Sequence, residues 1–284
     1  MTARSSTFGT SASTRHDILP ALLGKPHPLV MGVLNVTPDS FSDGGRFLDP
    51  ATALAQAERM VAEGADILDV GAESTRPYGS VRISEEDELA RLRPILPALT
   101  RLGVPISIDT MKAGVAAWAL DQGAAIANDV WGLHRDPAMA RLAAARGVPV
   151  VVMHNRDAAD PAIDIMDDIA AFFTRSLAIA DEAGLPRERI VLDPGIGFGK
   201  TAEQSMIALA RLGELGRFGL PILVGASRKR FIASISPSEP DQRIGGSLAA
   251  HLIAVQNGAR IIRAHDVHET VQALRVAAAI GDKR

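Results

Sequence analysis

Eight short apolar runs, each closed by polar residues that can do chemistry, constrain the fold of this chain more than any other feature. They span residues 29–36, 65–72, 105–109, 124–129, 149–154, 189–195, 221–227 and 260–266. A parallel strand that is buried on both faces has such a continuous apolar sequence. If all eight strands run in the same direction, their polar carboxyl ends meet at one rim.

Segments with helical periodicity, rich in Ala and Leu, separate the apolar runs. The helices they predict cover residues 50–63, 84–101, 111–122, 136–146, 161–183, 202–217, 246–257 and 267–280. A strand followed by a helix, eight times over, predicts a parallel sheet with right-handed crossovers. An open sheet would need two edge strands, which are usually shorter or more polar than these runs. We therefore predict a single-domain α/β protein, a TIM (β/α)8 barrel over residues 29–284, after a partly disordered extension over residues 1–28.

The composition excludes several classes of function. The sequence has no cysteine, so it can form no disulfide, thiolate zinc site or cysteine nucleophile. A formal net charge of −3 gives no general attraction to nucleic acid or to an anionic membrane. No apolar stretch approaches the roughly 20 residues that span a bilayer. The first residues lack the apolar core of a secretory signal, and we expect a cytoplasmic protein.

Three strand-end residues, Asp109, Asn128 and Asp193, form the sharpest candidate site. A buried carboxylate or amide without a partner costs a few kcal/mol, so these groups must either satisfy one another or meet a ligand. Carboxylates accept hydrogen bonds from amino and ring N–H groups, which suits a flat, amino-substituted nitrogen heterocycle. The active sites of TIM barrels lie at this rim, which favours the ligand interpretation.

Basic residues follow the seventh and eighth apolar runs. Loops at these positions commonly form the phosphate site of a TIM barrel. Lys229, Arg263 and His265 are therefore predicted to bind an anion such as pyrophosphate, and Ser227 with Lys229 to touch a second substrate. Asp266 is expected to cap the helix that follows it.

Two further segments carry polar or glycine-rich loops. The loop over residues 37–49 contains Phe41 beside a Gly-Gly pair and is predicted to act as a lid. The string over residues 193–201 resembles a P-loop, but Pro194 stands where that motif needs its first glycine, so we reject a P-loop. The glycines around Phe198 instead predict a backbone that approaches a flat ligand closely.

The chain carries, in this order, the strings NVTPDSFSDGG, ESTRP, ISIDT, NDVWG, DPGIGFGKT, GASRK and IIRAHDV. Together they resemble the dihydropteroate synthase family, from about Leu29 to about Ala277. This resemblance implies a TIM-barrel transferase of folate biosynthesis and a target of sulfonamides. Its members join p-aminobenzoate to 6-hydroxymethyl-7,8-dihydropterin pyrophosphate, forming 7,8-dihydropteroate and pyrophosphate.

The same resemblance assigns roles to residues of this chain. For the pterin it implies Asp109, Asn128, Met153, Asp193 and Lys229. For the pyrophosphate it implies Asn35, Arg263 and His265, with Mg²⁺ at Asn35. For p-aminobenzoate it implies Thr75, Arg76, Pro77, Phe198 and Ser227. The catalytic residues it implies are Phe41, Asp43 and Lys229, and it also implies a homodimer.

Two alternatives remain at this point. A pterin-binding methyltransferase that uses methyltetrahydrofolate has a related barrel, but it would lack the Ser-Arg-Lys and Arg-Ala-His-Asp segments. A non-catalytic pterin-binding homologue should have damaged loops, whereas this chain keeps Asn35, Asp43, Lys229, Arg263 and His265. Product analysis with the pterin pyrophosphate and p-aminobenzoate separates the three.

Overall fold

A computed structural model of the protein describes residues 18–36, 49–73 and 82–283. Five residues that the resemblance implies in the site lie outside these ranges: Phe41, Asp43, Thr75, Arg76 and Pro77. Residues 1–17, which belong to the predicted extension, also lie outside them.

Within the described ranges, eight strands form one parallel sheet. Strands β1 to β8 cover Leu29–Asn35, Ile67–Gly71, Ile106–Asp109, Ile126–Asp129, Val150–Met153, Ile190–Asp193, Leu223–Val224 and Ile261–Ala264. Their spatial order is β6-β5-β4-β3-β2-β1-β8-β7. A further parallel bridge between Leu192 and Ile222 joins β6 to the segment before β7 and brings the sheet almost full circle. The predicted TIM barrel is confirmed.

Helices lie between the strands and cover the outside of the barrel. Helices α1 to α11 are Ile18–Leu23, Pro50–Ala62, Glu85–Leu92, Leu96–Leu99, Ala113–Asp121, Ala138–Arg146, Ile165–Glu182, Ala202–Ala210, Arg230–Ile235, Ile244–Gln256 and Val267–Gly281. One large apolar core fills the layer between these helices and the strands. Among the described residues, no helix is long and apolar enough to cross a membrane.

Two of the predicted helices are wrong in their length. The segment predicted as one helix over residues 84–101 divides into α3 and α4, because Pro94 and Pro97 lack the N–H groups that a continuous helix needs. The segment over residues 202–217 ends as α8 at Ala210 and continues as a 3₁₀ helix over Leu212–Phe218, which contains two glycines. Neither break moves the strand ends that build the rim.

Helix α1 closes the amino-terminal end of the barrel, and the sequence did not predict it. Leu19 and Leu22 are buried against apolar residues at the bottom of the strands. The guanidinium of Arg260 donates to the backbone oxygens of Leu23 and His27, both at 2.9 Å. The end opposite the rim is thus sealed by packing, and the rim is the open end.

Candidate active site

A pocket opens at the carboxyl ends of the strands, and most of its polar lining was singled out from the sequence. The pocket is lined by Asp109, Asn128, Val130, Met153, Asp193, Gly195, Ile196, Phe198, Gly225, Lys229 and Arg263. Strand register accounts for part of this arrangement, because Asp109 lies beside Asn128 and Met153 lies beside Asp193 in adjacent parallel strands. The structure therefore brings together the acids, the amide and the two cations.

Arg263 lies at the centre of a buried ionic network on the inner face of the barrel. Its Nε donates to Asp69 Oδ2 at 2.6 Å and its Nη2 donates to Asp109 Oδ2 at 2.8 Å. The side-chain amide of Asn128 also donates to Asp69 Oδ2, at 3.0 Å. Asp69 thus orients two pocket residues, a role that its place within a buried strand does not indicate.

Asp109 presents a buried acceptor that the protein itself does not use. Its Oδ1 atom is buried and has no hydrogen-bond partner among the described residues. Burial raises the pKa of Asp109 to about 7, although the nearby Arg263 favours the ionised form. An unsatisfied buried acceptor is costly, so its place in the pocket lining points to a ligand that donates a hydrogen bond.

Asp193 is held at the end of β6 by the loop that follows it. Its Oδ1 accepts a hydrogen bond of 2.7 Å from the backbone N–H of Gly195. Burial raises the pKa of Asp193 to about 6, although the hydrogen bond from Gly195 and the charges of Lys229 and Arg263 act to lower it. This carboxyl therefore changes its protonation between weakly acidic and neutral pH.

The glycine-rich loop after β6 approaches the side chain of Lys229 closely. Gly197 has a φ of +80°, and a Cβ atom there would come 3.2 Å from Cδ of Lys229. The ammonium of Lys229 lies 3.9 Å from the centroid of the Phe198 ring, a cation–π distance. Phe198, Met153 and Val130 form a small apolar cluster on this side of the pocket.

Ser227 and His265 lie at the ends of β7 and β8 and bind each other. The imidazole Nδ1 of His265 is 3.0 Å from Ser227 Oγ, which also accepts the backbone N–H of His265 at 3.2 Å. Burial lowers the pKa of His265 to about 3, and the charge of Arg263 acts in the same direction. His265 is therefore a neutral hydrogen-bonding group at physiological pH.

Asp266 occupies the N-cap position of α11, as predicted, but the predicted capping interaction is wrong. Its side chain makes no capping hydrogen bond to α11. The carboxylate instead pairs with the guanidinium of Arg228, which bonds both of its oxygens. Two bonds to a guanidinium are a stronger interaction for this carboxylate than one bond from a backbone N–H.

Asn35 is the last residue of β1 and lies beside Gly71 of β2 at the same rim. Its side chain is half-buried. Among the described residues there is no group of three or more His, Asp or Glu side chains that could hold a metal ion. The side-chain amide of Asn35 has one oxygen, which can serve as a single ligand for a cation at this end of β1.

Comparison with known proteins agrees with this geometry. A family model described as "Pterin binding enzyme" matches residues 31–265. The dihydropteroate synthase of Bacillus subtilis is 43% identical over 264 residues, which cover 93% of this chain and 92% of that protein. The chain belongs to the dihydropteroate synthase family of pterin-binding enzymes. The resemblance seen in the sequence is confirmed.

Solved structures of family members superimpose closely on this chain. Dihydropteroate synthase from Xanthomonas albilineans, solved with 4-aminobenzoic acid, has a TM-score of 0.86 at 43% identity, covering 90% of this chain and 94% of that one. The Yersinia pestis enzyme, solved as a sulfonamide drug complex, has a TM-score of 0.84 at 42% identity, covering 91% and 95%. The likeness extends over nearly the whole barrel of both proteins.

Proposed function

We propose that this protein joins p-aminobenzoate to 6-hydroxymethyl-7,8-dihydropterin pyrophosphate, forming 7,8-dihydropteroate and pyrophosphate. One observation carries the proposal: buried carboxyl acceptors and two basic side chains line the same pocket. Such a pocket suits a substrate that is a hydrogen-bond-donating ring at one end and an anion at the other.

The pterin is assigned to the acidic side of this pocket. In the proposed complex Asp109 and Asp193 accept hydrogen bonds from the amino and ring N–H groups, and Asn128 both donates and accepts. Met153 packs beside the ring, and the ammonium of Lys229 donates to its acceptor atoms. The unpartnered Oδ1 of Asp109 supports this orientation, because a ring donor would satisfy it.

The pyrophosphate is assigned to Asn35, Arg263 and His265. The bonds from Arg263 to Asp69 and Asp109 use Nε and Nη2, so among the described residues its Nη1 remains available to an anion. The neutral His265 would contribute a hydrogen bond rather than a charge. A guanidinium that is held along one edge by carboxylates can present the N–H groups of its other edge to a phosphate in a fixed orientation.

Mg²⁺ fits this site as an ion carried by the substrate. Mg²⁺ is usually held by one or two protein oxygens together with substrate phosphates, and the amide oxygen of Asn35 can supply one of them. The described residues offer no acidic cage that would bind the ion by itself. When bound, the ion would neutralise charge that builds up on the departing pyrophosphate.

We propose a dissociative displacement. The bond between the pterin methylene carbon and the pyrophosphate oxygen breaks, the oxygen keeps the electron pair, and a cationic methylene remains. The buried Asp109 and Asp193 favour that cation, while Arg263 and Lys229 favour the departing anion. The arylamine nitrogen of p-aminobenzoate, bordered by Phe198 and Ser227, then attacks the methylene, and the ammonium that forms releases its extra proton to solvent. No protein nucleophile takes part.

Two further assignments rest on residues outside the described ranges. Thr75, Arg76 and Pro77 are proposed to border p-aminobenzoate. Phe41 and Asp43 are proposed to complete the catalytic set with Lys229. A homodimer is proposed from the exposed apolar side chains of Ile253 on α10 and of Val276 and Ile280 on α11, two helices that pack together. A cytoplasmic location stays a prediction.

The deciding experiment measures pyrophosphate release from purified protein with both substrates present. We expect release together with 7,8-dihydropteroate, and loss of most activity in Lys229→Ala and Arg263→Ala. Lys283→Ala and Arg141→Ala change the same residue types at exposed positions and should keep full activity. Methyl transfer from methyltetrahydrofolate would favour the methyltransferase, and pterin binding without pyrophosphate release would favour a non-catalytic homologue.

A further inference from the structure

A buried lysine lies behind the pocket, against the loop over residues 194–199. Lys200 is 7% exposed and is not part of the pocket lining. Its Nζ lies 2.9 Å from the backbone oxygen of Gly195, 3.1 Å from that of Phe198 and 2.6 Å from Nδ1 of His154. An ammonium has three donors, so all of them are used inside the protein.

His154 connects this ammonium to an acid near the surface. It is fully buried at the end of β5, and its Nε2 lies 2.9 Å from Oδ2 of Asp168. Since Nδ1 accepts from Lys200, Nε2 carries the proton and donates to Asp168. The carboxylate of Asp168 also binds Nη1 of Arg156 at 2.8 Å. We call these three residues the Lys200–His154–Asp168 chain.

The loop that this chain holds has an unusual backbone. Gly195, Gly197 and Gly199 all have positive φ angles. A Cβ atom on Gly195 would lie 1.9 Å from the backbone oxygen of His154, so the loop packs directly on the end of β5. Within the loop, the N–H of Phe198 donates to the oxygen of Gly195 at 3.0 Å. Lys200 binds both of these residues and so clamps the two ends of the turn.

A buried ammonium at this position is unfavourable for the stability of the fold. Burying a charge is unfavourable, and here burial lowers the pKa of Lys200 to about 7. An apolar side chain of similar length would fill the same space without this penalty, but it could not bind two backbone oxygens at once. Lys200 therefore carries a buried charge at a position where its ammonium holds the backbone of the loop next to the pocket.

We propose that Lys200 is a positioning residue for the reaction proposed above, acting through the loop backbone on Phe198, Asp193 and Lys229. Fixing Phe198 sets the position of its ring, over which the Lys229 ammonium lies. Fixing Gly195 sets the N–H group that holds the carboxylate of Asp193. Lys200 touches none of the proposed substrate positions, so its effect on the reaction is indirect.

The test compares wild-type protein with Lys200→Met, which keeps the length of the side chain and removes its donors. Hydrogen–deuterium exchange of the ligand-free protein should speed up about tenfold at the amides of Gly195 and Phe198, because their hydrogen-bonded turn opens more often. In steady-state kinetics, the KM for p-aminobenzoate should rise about tenfold, with a smaller change in kcat. A merely structural role would lower the melting temperature and leave both kinetic constants of the folded enzyme unchanged.

A double-mutant cycle with Phe198→Leu decides whether the effect runs through the ring. If it does, Lys200→Met should change the KM much less in the Phe198→Leu background than in wild-type protein, because coupled residues are not additive. Additive effects would overturn this route. Unchanged loop exchange, or faster exchange with unchanged kinetics, would overturn the proposal as a whole.

Asp168→Ala tests the same chain from its half-exposed end and covers the case in which Lys200→Met does not fold. We expect it to change loop exchange and KM in the same direction but less. Asp167→Ala removes the same charge from the neighbouring, exposed position of α7 and should change neither.

If the wild-type protein forms no product, the proposed function fails. The positioning proposal is then decided by loop exchange and by the Kd of pteroic acid, which should rise in Lys200→Met.

Discussion

The guanidinium of Arg228 binds both carboxylate oxygens of Asp266, joining the loop after β7 to the loop after β8. Arg228 has a φ of +59°, a left-handed conformation that is unfavourable for a side chain of this size. Its N–H donates to Ser247 Oγ at 2.9 Å, and its backbone oxygen accepts from Arg243 at 3.0 Å. Arg228 is held in this strained conformation by contacts at both its N–H and its backbone oxygen, and these contacts fix the backbone that leads into the pocket residue Lys229.

Asp266→Asn should therefore lower kcat/KM although Asp266 lies outside the pocket lining. Without the ion pair, Arg228 can relax toward an ordinary φ and turn Lys229 away. We expect a loss of about tenfold, the effect of roughly 1.4 kcal/mol. Steady-state kinetics on folded protein measure it. Adding Arg228→Gly should restore part of the activity, because glycine adopts this φ without strain. Wild-type kinetics in Asp266→Asn would contradict this explanation.

Asp69→Asn tests the buried acid that orients Arg263 and Asn128. One carboxylate oxygen accepts from both, and a neutral amide cannot support both bonds equally well. A hydrogen bond to a charged group contributes about 2 kcal/mol, so the Kd of a pterin ligand should rise about thirtyfold. Isothermal titration calorimetry measures it.

Asp66→Asn is the matched control for this substitution. Asp66 is also buried and ion-paired, with Lys25, but it lies at the opposite end of the barrel. This variant should lose stability and keep the wild-type Kd. If Asp69→Asn also kept the wild-type Kd, Asp69 would contribute to stability alone.

The gathering of Asp109, Asn128 and Asp193 could be predicted because the carboxyl ends of parallel strands always meet at one rim. Asp69 escaped the same reasoning because it lies two residues before the end of β2. The sequence does not reveal which residues of such a run face the inside of a closed barrel. That depends on register, and register is set by pairing with distant strands.

Lys200 and Asp266 show a second limit of the sequence. Both were judged by their neighbours in the chain, Lys200 as part of a failed P-loop and Asp266 as a helix cap. Their actual partners, His154 and Arg228, lie 46 and 38 residues away. Local sequence patterns indicate what kind of group a polar residue can bind. Which group a buried charge actually binds depends on the charged or polar side chains that the fold brings close to it.

Asp193→Asn should stabilise the ligand-free protein at neutral and alkaline pH. The pKa of Asp193 is 3.8 in an ordinary environment, and burial raises it to about 6. The folded state therefore binds this proton more tightly, so ionisation destabilises the fold fully above pH ~6 and not at all below pH ~4. The neutral amide resembles the protonated acid and avoids this cost.

We expect a gain of about 3 kcal/mol in the free energy of unfolding at roughly pH 8, measured by urea denaturation. The gain should disappear near pH 4, where the wild-type carboxyl is itself protonated, so the acidic measurement is the internal control. Activity should fall in the same variant. A gain that does not depend on pH would assign the effect to something other than this carboxyl.

Gly195→Ala tests how closely the loop after β6 packs on β5, and Gly184→Ala is its control. Both glycines have left-handed backbone, with φ of +65° and +71°. A Cβ atom at Gly184, just after α7, would meet nothing within 4 Å, whereas at Gly195 it would lie 1.9 Å from a backbone oxygen. Gly184→Ala therefore carries only the conformational cost of alanine at positive φ, about 1 kcal/mol.

Gly195→Ala carries the same conformational cost and must also displace the loop from the oxygen of His154. We expect it to lower the free energy of unfolding by about 2 kcal/mol more than the control, in urea denaturation at neutral pH. Because the displaced loop carries Phe198 and the N–H that holds Asp193, pterin binding should weaken in this variant and stay unchanged in Gly184→Ala. If the two variants lost equal stability and kept equal affinity, the loop would not be packed on β5 as the backbone contact requires.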